Sequence, residues 1–128
     1  MSAPAVIAEL DSRFELRSST IVGAGLGVFA RVDLPVGVEL EIIGTLVERD
    51  SPADRCSHFA DHHKFVIGET WLLVPLGFGG MVNHSDTPNM VREVRGDRAF
   101  LHTVRHVAAG EELSHCYTTS ARDRLGFV

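Results

Sequence analysis

Positive charge is scarce in this chain: 12 Lys and Arg stand against 17 Asp and Glu, a formal net charge of −5 over 128 residues. Tight binding to nucleic-acid backbones needs clustered cations, so the balance argues against direct nucleic-acid binding. It suits a basic peptide or a cationic small molecule, although many proteins with neither partner are as acidic. Long apolar runs are also missing, and nothing approaches the roughly 20 residues that span a bilayer, so no membrane association is expected. The segment Met1–Glu9 lacks the basic flank and sustained apolar stretch of a secretory leader, and an intracellular protein is expected. Only two cysteines occur, Cys56 and Cys116, enough for one bridge at most, and reduced thiols are the expectation. There is no internal repeat, low-complexity tract or linker, and 128 residues leave room for one domain, 1–128.

What is present is a series of short apolar runs punctuated by Gly and Pro, the pattern of a mostly β protein with little helix. Strands are expected at Phe14–Ser18, Gly27–Val32 and, after the Leu34-Pro35-Val36-Gly37 turn, Val38–Val47. Lys64–Ile67 and Trp71–Leu76 flank Gly68-Glu69-Thr70 as one hairpin; Met90–Val94 and Ala99–Val104 flank Arg95-Gly96-Asp97-Arg98 as a second. Glu112–Tyr117 reads as the last strand. One short helix is expected between Ser51 and His63, with Ser51 as its cap, Pro52 in its first turn, and Ala53, Cys56, Phe59 and Ala60 near helical spacing.

Three strings carry the functional signal: Gly23-Ala24-Gly25-Leu26-Gly27-Val28-Phe29-Ala30, Asn83-His84-Ser85-Asp86-Thr87-Pro88-Asn89, and Gly110-Glu111-Glu112-Leu113-Ser114-His115-Cys116-Tyr117. Each alone is weak, since glycine-rich and turn-forming strings recur by chance. In this order, with Gly37–Gly44 between the first two, they resemble the SET domain of S-adenosylmethionine-dependent protein lysine methyltransferases. The resemblance runs from about Ser19 to Tyr117. It implies the SET-domain fold, several small twisted β-sheets with a C-terminal pseudoknot, and methyl transfer from S-adenosylmethionine to a lysine side chain of a protein or peptide.

The resemblance also implies roles. Gly25, Leu26 and Gly27 would meet the methionine part of the cofactor, glycine lacking the Cβ that would collide with it. Asn83 would bind through its side chain and His84 through the backbone around it, while Ser85, Pro88 and Asn89 shape the turn. Tyr117, the only tyrosine, would be the catalytic phenol that aligns the lysine amine. Such an amine has an ordinary pKa of about 10.4, but an apolar channel and an adjacent sulfonium both favour its neutral form.

Several positions depart from the family pattern. The residue before the last tyrosine is Cys116 rather than a polar Asp, and a second tyrosine often found before the early glycine is Ile43. The number of methyl groups added is left open by both. Many members carry a cysteine-rich C-terminal segment that binds zinc and covers the cofactor; Thr118–Val128 has no cysteine, and Phe127 is at best a small hydrophobic substitute. The region between Val47 and Lys64, which bears on substrate choice, is short. A member without a cover could complete its site as a homodimer. His58, His62 and His63 lie near Cys56 on the expected helix, but the companion Glu of a helical zinc motif is missing and no metal is assigned. Two other readings stay open: a non-catalytic SET-like binding module, and a SET scaffold reused for other chemistry on a small molecule with a metal at the histidine cluster.

Overall fold

The computed structural model describes residues 11–58, 61 and 64–116. The chain opens with a hairpin in which β1 (Phe14–Ser18) pairs antiparallel with β2 (Leu26–Ala30), Phe14 opposite Ala30 and Ser18 opposite Leu26. It continues through β3 (Glu39–Ile42), β4 (Gly44–Glu48), the helix α1 (Pro52–Cys56), β5 (Phe65–Ile67) and β6 (Trp71–Pro75). A 3-10 turn at Phe78–Met81 leads to β7 (Asn83–His84), β8 (Met90–Arg95), β9 (Arg98–Thr103) and β10 (Ser114–His115). Two three-stranded sheets, β3-β9-β8 and β4-β6-β5, are antiparallel; the two-residue strands β7 and β10 pair in parallel. The architecture is mostly β with one short helix, as expected. No helix among the described residues is long and apolar enough to cross a membrane.

Both expected hairpins form, turning through Gly68 (φ 65°) and Gly96 (φ 63°), a backbone region that glycine enters without cost. The single strand expected over Val38–Val47 is instead two. It breaks after Ile42, because β3 pairs with β9 whereas β4 crosses to β6. Gly44 makes the crossing: a Cβ there would fall inside contact distance of the Val74 carbonyl oxygen. The last strand is also shorter than expected. Glu112 makes an isolated bridge to Phe29, and regular pairing is limited to Ser114–His115.

Apolar side chains from three of the sheets, β1-β2, β3-β9-β8 and β4-β6-β5, meet with those of connecting segments in one cluster that includes Phe14, Val28, Leu40, Ile42, Phe65, Met90, Leu101, Val107 and Leu113. β9 is the central strand of its sheet, and Ala99, Phe100, Leu101 and Thr103 are all buried there. Thr103 satisfies its hydroxyl locally, donating to the Pro35 carbonyl at 2.7 Å and accepting from the Val38 amide at 2.9 Å.

Ser51 caps α1 as expected, accepting from the Asp54 amide at 3.2 Å. What anchors the helix is a buried ion cluster. Lys64, the chain's only lysine, has no exposed side-chain surface; its Nζ donates to Asp54 Oδ1 at 2.7 Å, Asp61 Oδ1 at 2.6 Å and the Asp54 carbonyl at 3.1 Å. Asp54 Oδ2 accepts from the amide of Asp50, which has φ 63° at the turn before the helix. Burial would lower the Lys64 pKa, yet the two carboxylates outweigh it and hold the ammonium charged. Replacing Lys64 by Met leaves two carboxylates without their cation. A loss of about 3–5 kcal/mol is expected from urea unfolding, larger than for the double variant Lys64→Met, Asp54→Asn.

Candidate functional site

The loop between β1 and β2 is closed on itself by the Ser19 amide donating to the Gly25 carbonyl at 2.8 Å and the Ala24 amide to the Ile21 carbonyl at 3.1 Å. Gly23 (φ 79°) and Gly25 (φ 74°) take conformations that L side chains rarely adopt, and a Cβ at either would meet nothing within 4 Å. Backbone conformation therefore demands these two glycines, and open space lies beside them. Gly27 differs. A Cβ there would collide with Glu112 Oε2 and stand 3.1 Å from Asn83 Nδ2. The close approach expected of the glycine loop is thus made, at Gly27, to a carboxylate of the same chain.

Glu112 gathers the site. One oxygen, Oε1, accepts from the Thr20 amide (2.9 Å) and the Thr20 hydroxyl (2.7 Å); the other, Oε2, accepts from the Ser19 hydroxyl (2.7 Å) and Asn83 Nδ2 (3.1 Å). Burial alone would raise the carboxyl pKa, but hydrogen bonds from Ser19, Asn83 and Thr20 overcome it and keep Glu112 below the usual range. Asn83 Nδ2 also donates to the Leu26 carbonyl at 3.0 Å, so one amide group ties β7 to both the glycine loop and Glu112.

The segment around Glu112 is fixed from both sides. The Ala30 amide donates to the Glu111 carbonyl (2.9 Å) and the Leu113 amide to the Val28 carbonyl (2.8 Å), which lays residues 111–113 along β2. On the other side Asn89, only 2% exposed, donates through Nδ2 to the Glu112 carbonyl (2.9 Å) and accepts at Oδ1 from the Ser114 amide (2.9 Å). Asn89 was expected to shape a turn; it binds the last strand. Ser85 does shape the turn, accepting from the Thr87 amide at 3.0 Å.

β10 then runs parallel to β7, Ser114 opposite Asn83 and His115 opposite His84, and the Ser85 amide donates to the His115 carbonyl at 3.1 Å. The His115 ring is buried and stacks on Phe65 with centroids 5.7 Å apart. Burial first, then the nearby charges of Arg92 and His84, push its pKa down to about 4, so it is neutral at neutral pH. His84 Nε2 lies 3.0 Å from Asp86 Oδ1.

Of the residues singled out in the sequence, Gly25, Leu26, Gly27, Asn83 and His84 are brought together. Tyr117 and Phe127 lie outside the described residues, the last of which on this side is Cys116. His58 Nδ1 bonds Asp61 Oδ2 at 2.7 Å, and His62 and His63 are outside the described residues. Cys56 and Cys116 are both exposed, in no disulfide. Sequence reasoning missed Glu112, Ser19, Thr20 and Asn89 as site residues. The available signal was a Glu on a strand otherwise committed to burial, beside Leu113.

The sequence profile of the SET domain matches residues 25–118. No curated protein matches the chain. Solved structures do: 260 chains match, among them the crystal structure of a candidate histone methyltransferase of Plasmodium falciparum. That structure aligns with a TM-score of 0.65 at 21% identity, covering 86% of this chain and 96% of its own. At that identity the likeness establishes the fold alone.

Two outcomes are expected from these contacts. Glu112→Ala should lower stability by about 2–3 kcal/mol at neutral pH, measured by denaturant unfolding, since several hydrogen bonds to one charged acceptor are lost. Because the folded pKa is depressed below 4.5, the deficit against wild type should be full above that pH and vanish as pH falls through the folded value. For His115 the unfolded chain gains a proton near pH 6.5 while the folded one resists until about 4. Stability should therefore decline across that window by up to about 3 kcal/mol, and His115→Phe should flatten the decline.

Proposed function

This chain belongs to the SET domain family, and from that premise we propose that it is a protein-lysine methyltransferase using S-adenosylmethionine. The observation that supports the reading best is the Glu112 clamp. It draws Gly27 and Asn83, 56 residues apart, onto one carboxylate, and Asn83 also bonds the Leu26 carbonyl. The described residues fit the cofactor: the backbone is open beside Gly23 and Gly25, and Asn83 has its amide nitrogen engaged twice, leaving Oδ1 as an acceptor for an ammonium group. Gly25, Leu26 and Gly27 would hold it by backbone, Asn83 by its side chain, and His84 by the backbone around it. The ionised Glu112 adds a negative potential that favours a cationic ligand.

The bound cofactor would supply an electrophilic methyl group on a sulfonium. The chain's part is positional: to hold the amine nitrogen in line with that methyl and to keep water away. Tyr117 would orient the amine by a hydrogen bond from or to its phenol, directly after the fixed segment Ser114–Cys116. Deprotonation needs no strong base, because apolar surroundings and an adjacent sulfonium lower the amine pKa and its proton leaves to water.

Ile43 stands where a second hydroxyl is common, and its amide oxygen accepts from Leu76 at 2.9 Å. An apolar side chain there gives the amine no second polar contact, so orientation rests on Tyr117. The substrate lysine would lie outside this chain, since Lys64 is its only lysine and is buried and ion-paired.

Calorimetric titration with S-adenosylmethionine and S-adenosylhomocysteine tests the reading. Saturable binding is expected, weakened about tenfold or more in Asn83→Ala, a change of at least about 1.4 kcal/mol. With labelled cofactor and a mixed protein substrate, Tyr117→Phe should lose transfer while retaining cofactor affinity. Failure of the wild-type chain to bind either compound would overturn the proposal.

A further inference from the structure

A second constellation lies on the far side of β7 from the glycine loop contacts. One ring nitrogen of His84, a carboxylate oxygen of Asp86 and the Cys116 sulfur all lie within 4.8 Å of one another. We propose that these three side chains bind a single zinc ion. The site is independent of the methyltransferase reading, and its ligands differ from the cysteine-rich C-terminal segment that many family members carry.

The placement is built into the backbone. His84 ends β7, Asp86 follows in the turn, and Cys116 follows β10; the parallel register sets His115 opposite His84 and brings the next residue to the level of the turn. The Ser85 amide, donating to the His115 carbonyl, fixes that level. The His84 ring has 15% of its side chain exposed and Asp86 77%, and Cys116 is also exposed.

In a tetrahedral site with Zn–N of about 2.0 Å and Zn–S of about 2.3 Å, neighbouring ligand atoms stand roughly 3–4 Å apart. His84 Nε2 and Asp86 Oδ1 are already 3.0 Å apart. Bringing the Cys116 sulfur from within 4.8 Å to ligand spacing is a change of about 1 Å.

The donor set selects the ion. Imidazole nitrogen, carboxylate oxygen and thiolate sulfur together suit zinc, whereas magnesium and calcium call for oxygen alone. Thiolate and carboxylate balance the two positive charges, and binding releases the thiol proton together with any proton shared between His84 and Asp86. Three protein ligands leave a fourth position for water or another donor. An ion held here would pin the end of β10 to β7, one residue before Tyr117.

The experiment uses the full chain, stripped of metal by chelation and kept reduced. It is titrated with Zn2+ by calorimetry and with Co2+ by absorbance, where a thiolate ligand gives a near-ultraviolet charge-transfer band. One equivalent of Zn2+ is expected, with the band present in wild type. Cys116→Ser should abolish the band and weaken Zn2+ binding about tenfold or more, and Asp86→Asn should weaken it with the band retained. Cys56→Ser, on α1, should change neither. Both Cys116 and Asp86 are exposed, and an unchanged metal-free thermal melt confirms that the variants fold. No saturable Zn2+ binding by wild type, or binding undiminished by Cys116→Ser, would overturn the proposal.

Discussion

Glu112, a carboxylate with no cationic partner among the described residues, holds three distant stretches of the chain in one place. All four of its hydrogen bonds come from neutral donors: two from Thr20, one from Ser19 and one from Asn83. That explains why an acid rather than its amide suits the position. A glutamine would set its NH2 group against either the Thr20 amide or Asn83 Nδ2, groups that only donate, and would leave that donor unpaired. The same packing explains Gly27, since any side chain would occupy the space of the Glu112 carboxylate. Glycine, asparagine and glutamate are thus one physical unit, although they sit in three separate strings of the sequence.

The second polar centre works by opposite means. Lys64 has no exposed side-chain surface and is held by two carboxylates, so its charge is neutralised where Glu112's is dispersed over dipoles. The strands are only two to six residues long and are shared among four sheets, so each contributes few ladder bonds. Side chains therefore supply links that longer sheets would supply by backbone. Asn89, Thr103 and Asp54 are all buried polar groups used this way. Each bridges segments that are separated in the chain or, for Asp54, sets the turn into α1.

Features encoded locally were legible in the sequence. The hairpins at Gly68 and Gly96 and the cap at Ser51 depend on residues adjacent to them, and they formed as the turn chemistry dictates. The break after Ile42 was hidden because apolar residues continue on both sides of it, from Leu40 and Ile42 to Leu46 and Val47; the switch of partner from β9 to β6 divides the strand. β7 was hidden for another reason: two residues have no periodicity, and Asn83-His84-Ser85-Asp86 reads as a turn on its own. The resemblance to a family named Gly25, Leu26, Gly27, Asn83 and His84 as one set, and in the structure Asn83 bonds the Leu26 carbonyl and stands beside Gly27. It did not reveal what lies between them, because the Glu112 contact depends on the geometry of three segments at once.

The glycine loop depends on that contact more than any other part of the site does. Val22 is fully exposed, Gly23 and Gly25 touch nothing on their open side, and among the described residues the loop is held from outside through Ser19 and Thr20 to Glu112 and, where it enters β2, through the Leu26 carbonyl to Asn83. A molecule that binds only the clamped form of the loop must, by reciprocity, strengthen the clamp by the same free energy with which the clamp strengthens its binding. Ionisation of Glu112 enters the same cycle, since protonation removes the acceptor that orders Thr20 and Ser19. Order in the loop, charge on Glu112 and occupancy of the open face beside Gly25 are therefore three readings of one equilibrium, and a change imposed on any of them shifts the other two.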